Sequence, residues 1–202
     1  MFENIREDFN VYAQFTGVQR GRGVLSASWL FNARRFIAAL WVFPFSAVVI
    51  YRCKCWLHDR HVPILPRLFD WLNILLWQVQ IADTASIGPG LCISHGSVMI
   101  AGEVKIGRNC TINPWSGMGL IHKRRFDHPW DGLVGPTLGD NVFVGVGSRI
   151  MGPITIGDNV RIGANSIVIH DVPNDTVVIG APARPLDMKD PEQRAIVQDV
   201  ID

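Results

Sequence analysis

One histidine of the sequence, His95, is a candidate general base. His95 lies between Ser94 and Gly96. A neutral imidazole accepts a proton near pH 7, and such a base activates a hydroxyl group that is otherwise a poor nucleophile. His95 is therefore the first candidate for acid–base catalysis. The alternative is an exposed histidine without a role.

A second group of reactive side chains lies within residues 119–137. Three consecutive cations there supply charge-assisted donors to phosphate groups. His128 is a candidate for substrate contact, and His122 is a weaker one. The alternative for all of these residues is an ordinary solvated loop. The three cations are Lys123, Arg124 and Arg125.

Two tryptophans accompany these histidines in the sequence. Trp115 precedes the loop and Trp130 lies within it. An indole ring stacks on planar groups of a ligand, but it also packs well between subunits. Both residues are candidates for substrate binding, with packing as the alternative.

Charge and cysteine content argue against several function classes. Nineteen basic and eighteen acidic residues leave a net charge of +1, so no global field favours nucleic acid. The cysteines, at positions 53, 55, 92 and 110, lack the spacing of a disulfide framework or a zinc site. The N-terminus is acidic where a secretory signal would be basic. We therefore expect a cytoplasmic protein with reduced thiols and no metal.

A six-residue repeat must position these side chains. Aliphatic residues recur every six positions, with one extra residue after His95 and one long gap after Met118, and glycine often follows them. The tetrapeptide Gly-Asp-Asn-Val occurs at 139–142 and again at 157–160, so three hexads form one coil of a β-helix. The aliphatic positions are Ile81, Ile87, Ile93, Ile100, Ile106, Ile112, Met118, Leu138, Val144, Ile150, Ile156, Ile162 and Val168.

The first eighty residues have a helical pattern instead. Apolar residues at 2, 5, 9 and 12 form one stripe of a short helix. The apolar run 36–51 contains Pro44 and is short for a membrane span. It predicts a buried or interfacial helix, with peripheral membrane contact as the alternative. The sequence thus predicts a helical subdomain at 1–80, a β-helix at 81–185 with the loop 119–137 extruded, and a tail with a short helix at 186–202.

Three segments of the chain resemble the hexapeptide-repeat acyltransferases, and within them the serine acetyltransferase-like branch. They are Ile-Arg-Glu-Asp at 5–8, Ile-Gly-Pro-Gly-Leu-Cys-Ile-Ser-His-Gly at 87–96, and Gly-Ala-Pro-Ala-Arg at 180–184. With the repeats, they cover most of the chain. The resemblance implies a mainly β protein with a left-handed parallel β-helix, an unusual hand for a crossover connection.

The same resemblance assigns roles. It implies a homotrimer in which acetyl-CoA, the acetyl donor, lies in the groove between two subunits and His95 acts as the general base. It makes Gly145, Gly163 and Arg184 candidates for contact with acetyl-CoA, together with the three loop cations. It also implies a second histidine, in a His-Pro pair just before the β-helix resumes. His128 matches this pair only with a shift in spacing and is the second catalytic candidate.

Two departures from the family pattern bear on the acceptor. Serine-specific members carry aspartates where this chain has Ser94 and, in a gapless alignment, Gln80; Asp83 is a possible substitute for the latter. Because a buried ammonium group needs a paired charge, these losses favour a neutral acceptor. We therefore expect a sugar or polysaccharide O-acetyltransferase, with Ser94 and Asp83 among the substrate-binding residues.

Three alternatives remain open from the sequence. One is a serine O-acetyltransferase. Another is a non-catalytic trimeric β-helix scaffold. The third is a zinc-binding carbonic anhydrase-like protein that would use His95, His122 and His128, although their spacing does not fit well.

Overall fold

The computed structural model describes residues 1–15, 45–119, 134–187 and 190. In these ranges, helices α1 (Phe2–Phe15), α2 (Phe45–His58) and α3 (Leu65–Trp77) precede a series of short strands. The strands are β1 Val79–Ile81, β2 Ser86–Ile87, β3 Cys92–Ile93, β4 Val98–Ile100, β5 Glu103–Ile106, β6 Thr111–Ile112, β7 Gly117–Gly119, β8 Val134–Leu138, β9 Phe143–Val144, β10 Arg149–Met151, β11 Thr155–Ile156, β12 Arg161–Ile162, β13 Ile167–Val168, β14 Val177–Gly180 and β15 Ala183–Pro185.

The strands form the three faces of a parallel β-solenoid of about four turns. Face A has the strand order β1-β4-β7-β10-β13, and face B has the order β2-β5-β8-β11. Face C has the order β3-β6-β9-β12-β14, and β15 adds to it antiparallel. The predicted mainly β fold, a left-handed β-helix of hexapeptide repeats behind N-terminal helices, is confirmed.

The hexad phase predicts the core correctly. All thirteen aliphatic residues of the repeat are buried, none more than 8% exposed. Partners in neighbouring coils are eighteen residues apart where the repeat is unbroken, as in Thr137 with Thr155 and Phe143 with Arg161. Burial of these side chains between stacked coils provides the main hydrophobic stabilisation.

Turns between face B and face C, which we call the B–C edge, carry a polar ladder. The side chain of Asp140 accepts a hydrogen bond from Arg108 N at 2.6 Å, and that of Asp158 accepts one from Asp140 N at 2.7 Å. Asn141 and Asn159 adopt positive φ angles of 58° and 57°, and their amides are 3.0 Å apart. Asparagine tolerates this backbone region better than most residues, so the edge repeats the same chemistry from coil to coil.

The helices cap the first coil. The Arg52 guanidinium of α2 pairs with Asp8 of α1 at 3.0 Å, and both side chains are buried. Arg52 also donates to the carbonyls of Ile87 and Gly88 at 2.7 and 2.6 Å, while Asp8 accepts from Leu91 N at 2.8 Å. Opposite charges with filled hydrogen bonds make burial tolerable, so this pair joins the cap to the solenoid.

The apolar run 36–51 is described only from Phe45 onward. There it forms the start of α2, and Phe45, Val48 and Tyr51 are buried. Across the described ranges, no helix has the length and apolar character needed to cross a bilayer. The predicted boundaries at residues 80 and 185 stay predictions, and residues 191–201 of the predicted terminal helix lie outside the described residues.

Candidate active site

Turns between face C and face A, which we call the C–A edge, hold His95. They comprise residues 94–97, 113–116, 145–148 and 163–166. From β3 to β4 the buried positions Ile93 and Ile100 are seven residues apart, whereas their partners Ile112 and Met118 are six apart. The extra residue predicted from the phase of the repeat therefore lies between the buried positions Ile93 and Ile100, in the segment that carries His95.

The end of α3 fixes this turn. Ser97 N donates to the Trp77 carbonyl at 2.8 Å, and Ser97 Oγ lies 2.9 Å from Gln78 Oε1. A Cβ atom at Gly96 would overlap the Trp77 carbonyl oxygen, so only glycine allows this approach. His95 is exposed on the resulting turn, where a ligand could reach its ring.

Ser94 lies inside the coil. Its side chain is 5% exposed, and its hydroxyl donates to Asn113 Oδ1 at 2.7 Å. Asn113 in turn donates to the Val144 carbonyl at 2.9 Å. The predicted substrate contact of Ser94 stays a prediction, but this inward position gives it a role in stacking the first coils.

Trp115 lies one coil above the His95 turn and is 62% exposed. Its φ angle is +64°, at a corner where the next coils carry Gly147 and Asn165. A bulky residue held in this region is strained by roughly 1–3 kcal/mol. Arg149 donates through Nη1 to the Trp115 carbonyl. An exposed indole on a strained backbone corner is a feature that packing of the chain itself does not require.

Three further candidates share the same edge. Gly145 and Gly163 follow Val144 and Ile162, which are partners on face C, and Ile179 of the next strand pairs with Arg184. A Cβ atom at Gly145 would lie 2.6 Å from the Ile162 carbonyl oxygen, so this glycine lets the coils stack closely. Arg184 is exposed at the far end of the edge from His95. Contact of these residues with acetyl-CoA stays a prediction.

Asp83 is placed away from His95. It follows β1, and the strand β4 separates its edge of the solenoid from the His95 turn, which is about 10 Å for three residues. Its carboxylate instead pairs with Lys54 Nζ at 2.8 Å, as does Asp70 at 2.8 Å. Burial lowers the pKa of Lys54, but hydrogen bonds and charge from both aspartates outweigh this and raise it. Asp83 therefore has a structural partner in the cap, and its role as a substitute for an orienting carboxylate at Gln80 stays a prediction.

The remaining candidates cannot be placed. Lys123, Arg124, Arg125, His128 and Trp130 lie outside the described residues, as does His122. Among the residues that are described, no group of three or more His, Cys, Asp or Glu side chains is arranged to hold a metal ion.

Two buried thiols flank the site region. Burial raises the pKa of Cys92 to about 12 and that of Cys110 to about 11. A thiol is nucleophilic as the thiolate, so neither cysteine is suited to covalent catalysis at neutral pH. The imidazole of His95 is the better group for activating a nucleophile.

Sequence reasoning overlooked three polar residues. Arg149 is the one cation in the described strands of face A, and its signal was an outward-facing charge beside the buried Ile150. Asn113 could have been found because it stands where Gly145 and Gly163 stand in later coils. Lys54 gave no signal, because its partners Asp70 and Asp83 belong to other elements.

Comparison with known proteins adds to this geometry. Residues 135–170 match the family model described as bacterial transferase hexapeptide (six repeats). The serine acetyltransferase of Synechococcus elongatus is 39% identical over 154 residues, which cover 75% of this chain and 61% of that protein. The serine acetyltransferase of Helicobacter pylori strain J99 is 35% identical over 154 residues, which cover 75% of this chain and 86% of that protein.

Similar solved structures are also serine acetyltransferases. Neisseria gonorrhoeae serine acetyltransferase in complex with serine has a TM-score of 0.69 and 25% identity, over 92% of this chain and 68% of that one. A serine acetyltransferase in complex with CoA matches over a shorter range, with a TM-score of 0.61 and 26% identity over 70% of this chain and 56% of that one.

These comparisons correct one prediction. Relatives that are 32% to 39% identical carry the name serine acetyltransferase, so the expected sugar or polysaccharide acceptor is wrong. The expectation rested on the neutral residues at positions 80 and 94. Because the Ser94 hydroxyl points into the coil and bonds to Asn113, its identity carries little information about the charge of the acceptor.

Proposed function

Because the chain belongs to the serine acetyltransferase family of hexapeptide-repeat acyltransferases, we propose that it transfers the acetyl group of acetyl-CoA to the hydroxyl of L-serine. The products are O-acetylserine and CoA. The observation that carries the proposal is the exposed imidazole of His95 on the C–A edge, in the segment with one extra residue between buried positions.

His95 acts as the general base in this reaction. Its neutral imidazole takes the proton of the serine hydroxyl while the oxygen attacks the thioester carbonyl. The tetrahedral intermediate then collapses, the carbon–sulfur bond breaks, and the imidazolium returns the proton to the CoA thiolate. Base catalysis of this kind contributes about 10²- to 10⁴-fold in rate.

Acetyl-CoA lies along the C–A edge in this proposal. From the His95 turn to Arg184 there are five strand spacings on face C, or about 24 Å at ~4.8 Å each. That distance suits an extended pantetheine arm and pyrophosphate. Val146, 43% exposed, and the exposed Ala164 offer apolar contacts between the two ends. The Arg184 guanidinium suits a phosphate at the far end.

A second subunit completes the site. The described residues give the His95 ring no hydrogen-bond partner, and a base needs one to hold its orientation. The C–A edge is exposed along its length and bears Trp115 and Arg149. We propose a homotrimer in which the C–A edge of one subunit faces its neighbour, and in which Arg149 binds the serine carboxylate.

Thiol release from acetyl-CoA tests the activity. We expect release that depends on L-serine and saturates with it, and a product that mass spectrometry identifies as O-acetylserine. An Arg184→Gln variant should raise KM for acetyl-CoA about tenfold and leave KM for serine unchanged, because only the donor contacts that end. Protein that is folded and trimeric but releases no thiol with serine would contradict the proposal and favour a scaffold.

Position 80 gives a second test. Gln80 is exposed at the centre of β1, where serine-specific members of the family are expected to carry an aspartate. A Gln80→Asp variant should raise kcat/KM for serine about threefold or more, because a carboxylate stabilises an imidazolium or ammonium group nearby. A fall in kcat/KM, with the fold intact, would show that no serine-type site surrounds this position.

A further inference from the structure

Helix α3 has its polar side inward. Pro66 and Asn73 are its buried residues, and Asp70 is half-buried. The outer side is apolar apart from Arg67. The exposed residues there are Leu65 (44%), Leu68 (57%), Trp71 (76%), Leu72 (42%), Ile74 (46%), Leu75 (81%) and Leu76 (55%), and Ile64 (70%) precedes them. A surface helix normally shows the reverse arrangement.

Contacts with α2 explain the inner face. Asn73 Nδ2 donates to the Ala47 carbonyl at 3.1 Å, and Asp70 pairs with the buried Lys54 at 2.8 Å. These hydrogen bonds hold α3 against the core without using its leucines. The outer face is therefore available for something else, and contiguous apolar surface of this kind marks a partner or a membrane.

The size of the face argues against a second protein chain. A helix of 13 residues is about 20 Å long and about 10 Å wide, so it offers a strip on the order of a few hundred Å². A stable protein interface buries about 800 Å² per partner and uses about one hydrogen bond per 100–200 Å². The exposed face of α3 has little area and almost no hydrogen-bonding groups. A bilayer surface requires neither a large complementary area nor hydrogen bonds to bind an apolar helix face.

The charges at its border suit an anionic surface. His58, Arg60, His61 and Arg67 are exposed around the start of α3, against the exposed Asp59. The Arg60 guanidinium lies 3.8 Å from the ring centroid of Trp56, which is 37% exposed. Tryptophan beside arginine is typical of the boundary between headgroups and acyl chains.

We infer that α3 binds the surface of a membrane containing anionic lipids, with its leucines and Trp71 in the acyl boundary and Arg60 and Arg67 at the headgroups. The helix lies in the interface and does not cross it. Because the carbonyl of Trp77 and the side chain of Gln78 hold Ser97 of the His95 turn, binding places that turn at the end of the C–A edge nearest the bilayer. The inference is independent of the proposed acceptor.

Flotation with lipid vesicles tests it. The full chain should float with phosphatidylcholine vesicles that contain phosphatidylglycerol, and the emission of exposed tryptophan should shift to shorter wavelength. Leu75→Glu should lower the partition coefficient about tenfold or more. Phe2→Glu is the matched control, because Phe2 on α1 is equally exposed at 79%, and it should leave binding unchanged.

A second pair of variants separates the two contributions. Arg60→Gln and Arg67→Gln should each weaken binding about fivefold on anionic vesicles, and neither should matter on neutral ones. Circular dichroism confirms that each variant is folded. The inference fails if the chain does not float, or if Leu75→Glu and Phe2→Glu bind alike. It also fails if Leu75→Glu changes the oligomeric state in sedimentation without vesicles, which would identify the face as an interface between copies.

Discussion

Two edges of the same solenoid differ in their regularity. The B–C edge repeats its glycines, aspartates and asparagines from coil to coil, and each side chain bonds to the next coil. The C–A edge varies: the corner residues with positive φ are Ser97, Trp115, Gly147 and Asn165, and one extra residue separates Ile93 from Ile100. In a periodic fold, repetition accompanies stability and its interruption accompanies function.

The largest effect should come from His95, at the irregular edge. His95→Ala should lower kcat for serine-dependent thiol release by about 10²- to 10⁴-fold, because it removes the proposed base. The melting temperature should stay the same, since the side chain is exposed. His170→Ala, an exposed histidine at another edge, is the control and should retain full activity. If His95→Ala and His170→Ala were equally active, His95 would not be the base, and the C–A edge would have no demonstrated catalytic role.

A glycine of the regular edge should affect stability instead. In Gly107→Ala, the new Cβ would lie 2.5 Å from the Gly139 carbonyl oxygen and 2.6 Å from its carbonyl carbon. We expect a loss of about 1–3 kcal/mol in the free energy of unfolding. Gly117→Ala is the matched change on face A, where the nearest atom is Arg149 Cδ at 3.4 Å. Denaturant titration should show little effect there, and a similar loss in both variants would contradict the role of close stacking.

Ionisation of two buried thiols, Cys92 and Cys110, should lower the stability of the fold at high pH. The pKa of Cys92 and that of Cys110 are raised by burial from 9.0 to about 12 and about 11. A thiol whose pKa is higher in the folded chain than in the unfolded chain stabilises the fold at pH values below the unfolded pKa. This stabilisation is lost as the pH rises from the unfolded pKa to the folded one. Between pH 9 and pH 10, each thiol should account for a loss of about 1 kcal/mol.

Alanine variants measure this loss. Cys92→Ala and Cys110→Ala should each reduce the slope of unfolding free energy against pH in that window by about the same amount. A double variant should be flatter than either. If the slope of the double variant matched that of the natural chain, the two thiols would not be protected from ionisation by the fold.

The smallest effect should come from Trp115. Trp115→Asn places at this corner a residue that tolerates positive φ, as Asn165 does in a later coil. We expect a gain of about 1 kcal/mol in stability and a loss of about five- to tenfold in kcat/KM, as stacking with a ligand is removed. A gain in stability without loss of activity would make Trp115 a strained residue with no catalytic purpose.

The periodic part of the molecule could be predicted almost completely. Every aliphatic position of the repeat is buried as its phase requires, because each coil places the same position in the same environment. His95 was singled out by the chemistry of its imidazole and by the family resemblance, and the extra residue after it breaks the phase of the repeat.

Contacts between elements could not be predicted in this way. The pairing of Asp83 with Lys54 joins a strand end to a helix, and no local pattern reports it. The orientation of α3 was hidden because apolar residues occupy most of its positions. The inward turn of Ser94 depends on Asn113, nineteen residues away. The acceptor was misjudged because charge at two positions was interpreted without knowing which way their side chains point.

The buried pair of Asp8 and Arg52 also bears on how the chain avoids polymerising. The strands β1, β2 and β3 are the first strands of the three faces, so each has one edge without a neighbouring strand of the solenoid. Such strand edges offer unpaired hydrogen-bonding groups to other chains. Arg52 and Asp8 occupy the carbonyls of residues 87 and 88 and the amide of residue 91. A chain that lost this ion pair would present an open template, so end-to-end fibre growth, rather than simple unfolding, is the expected failure.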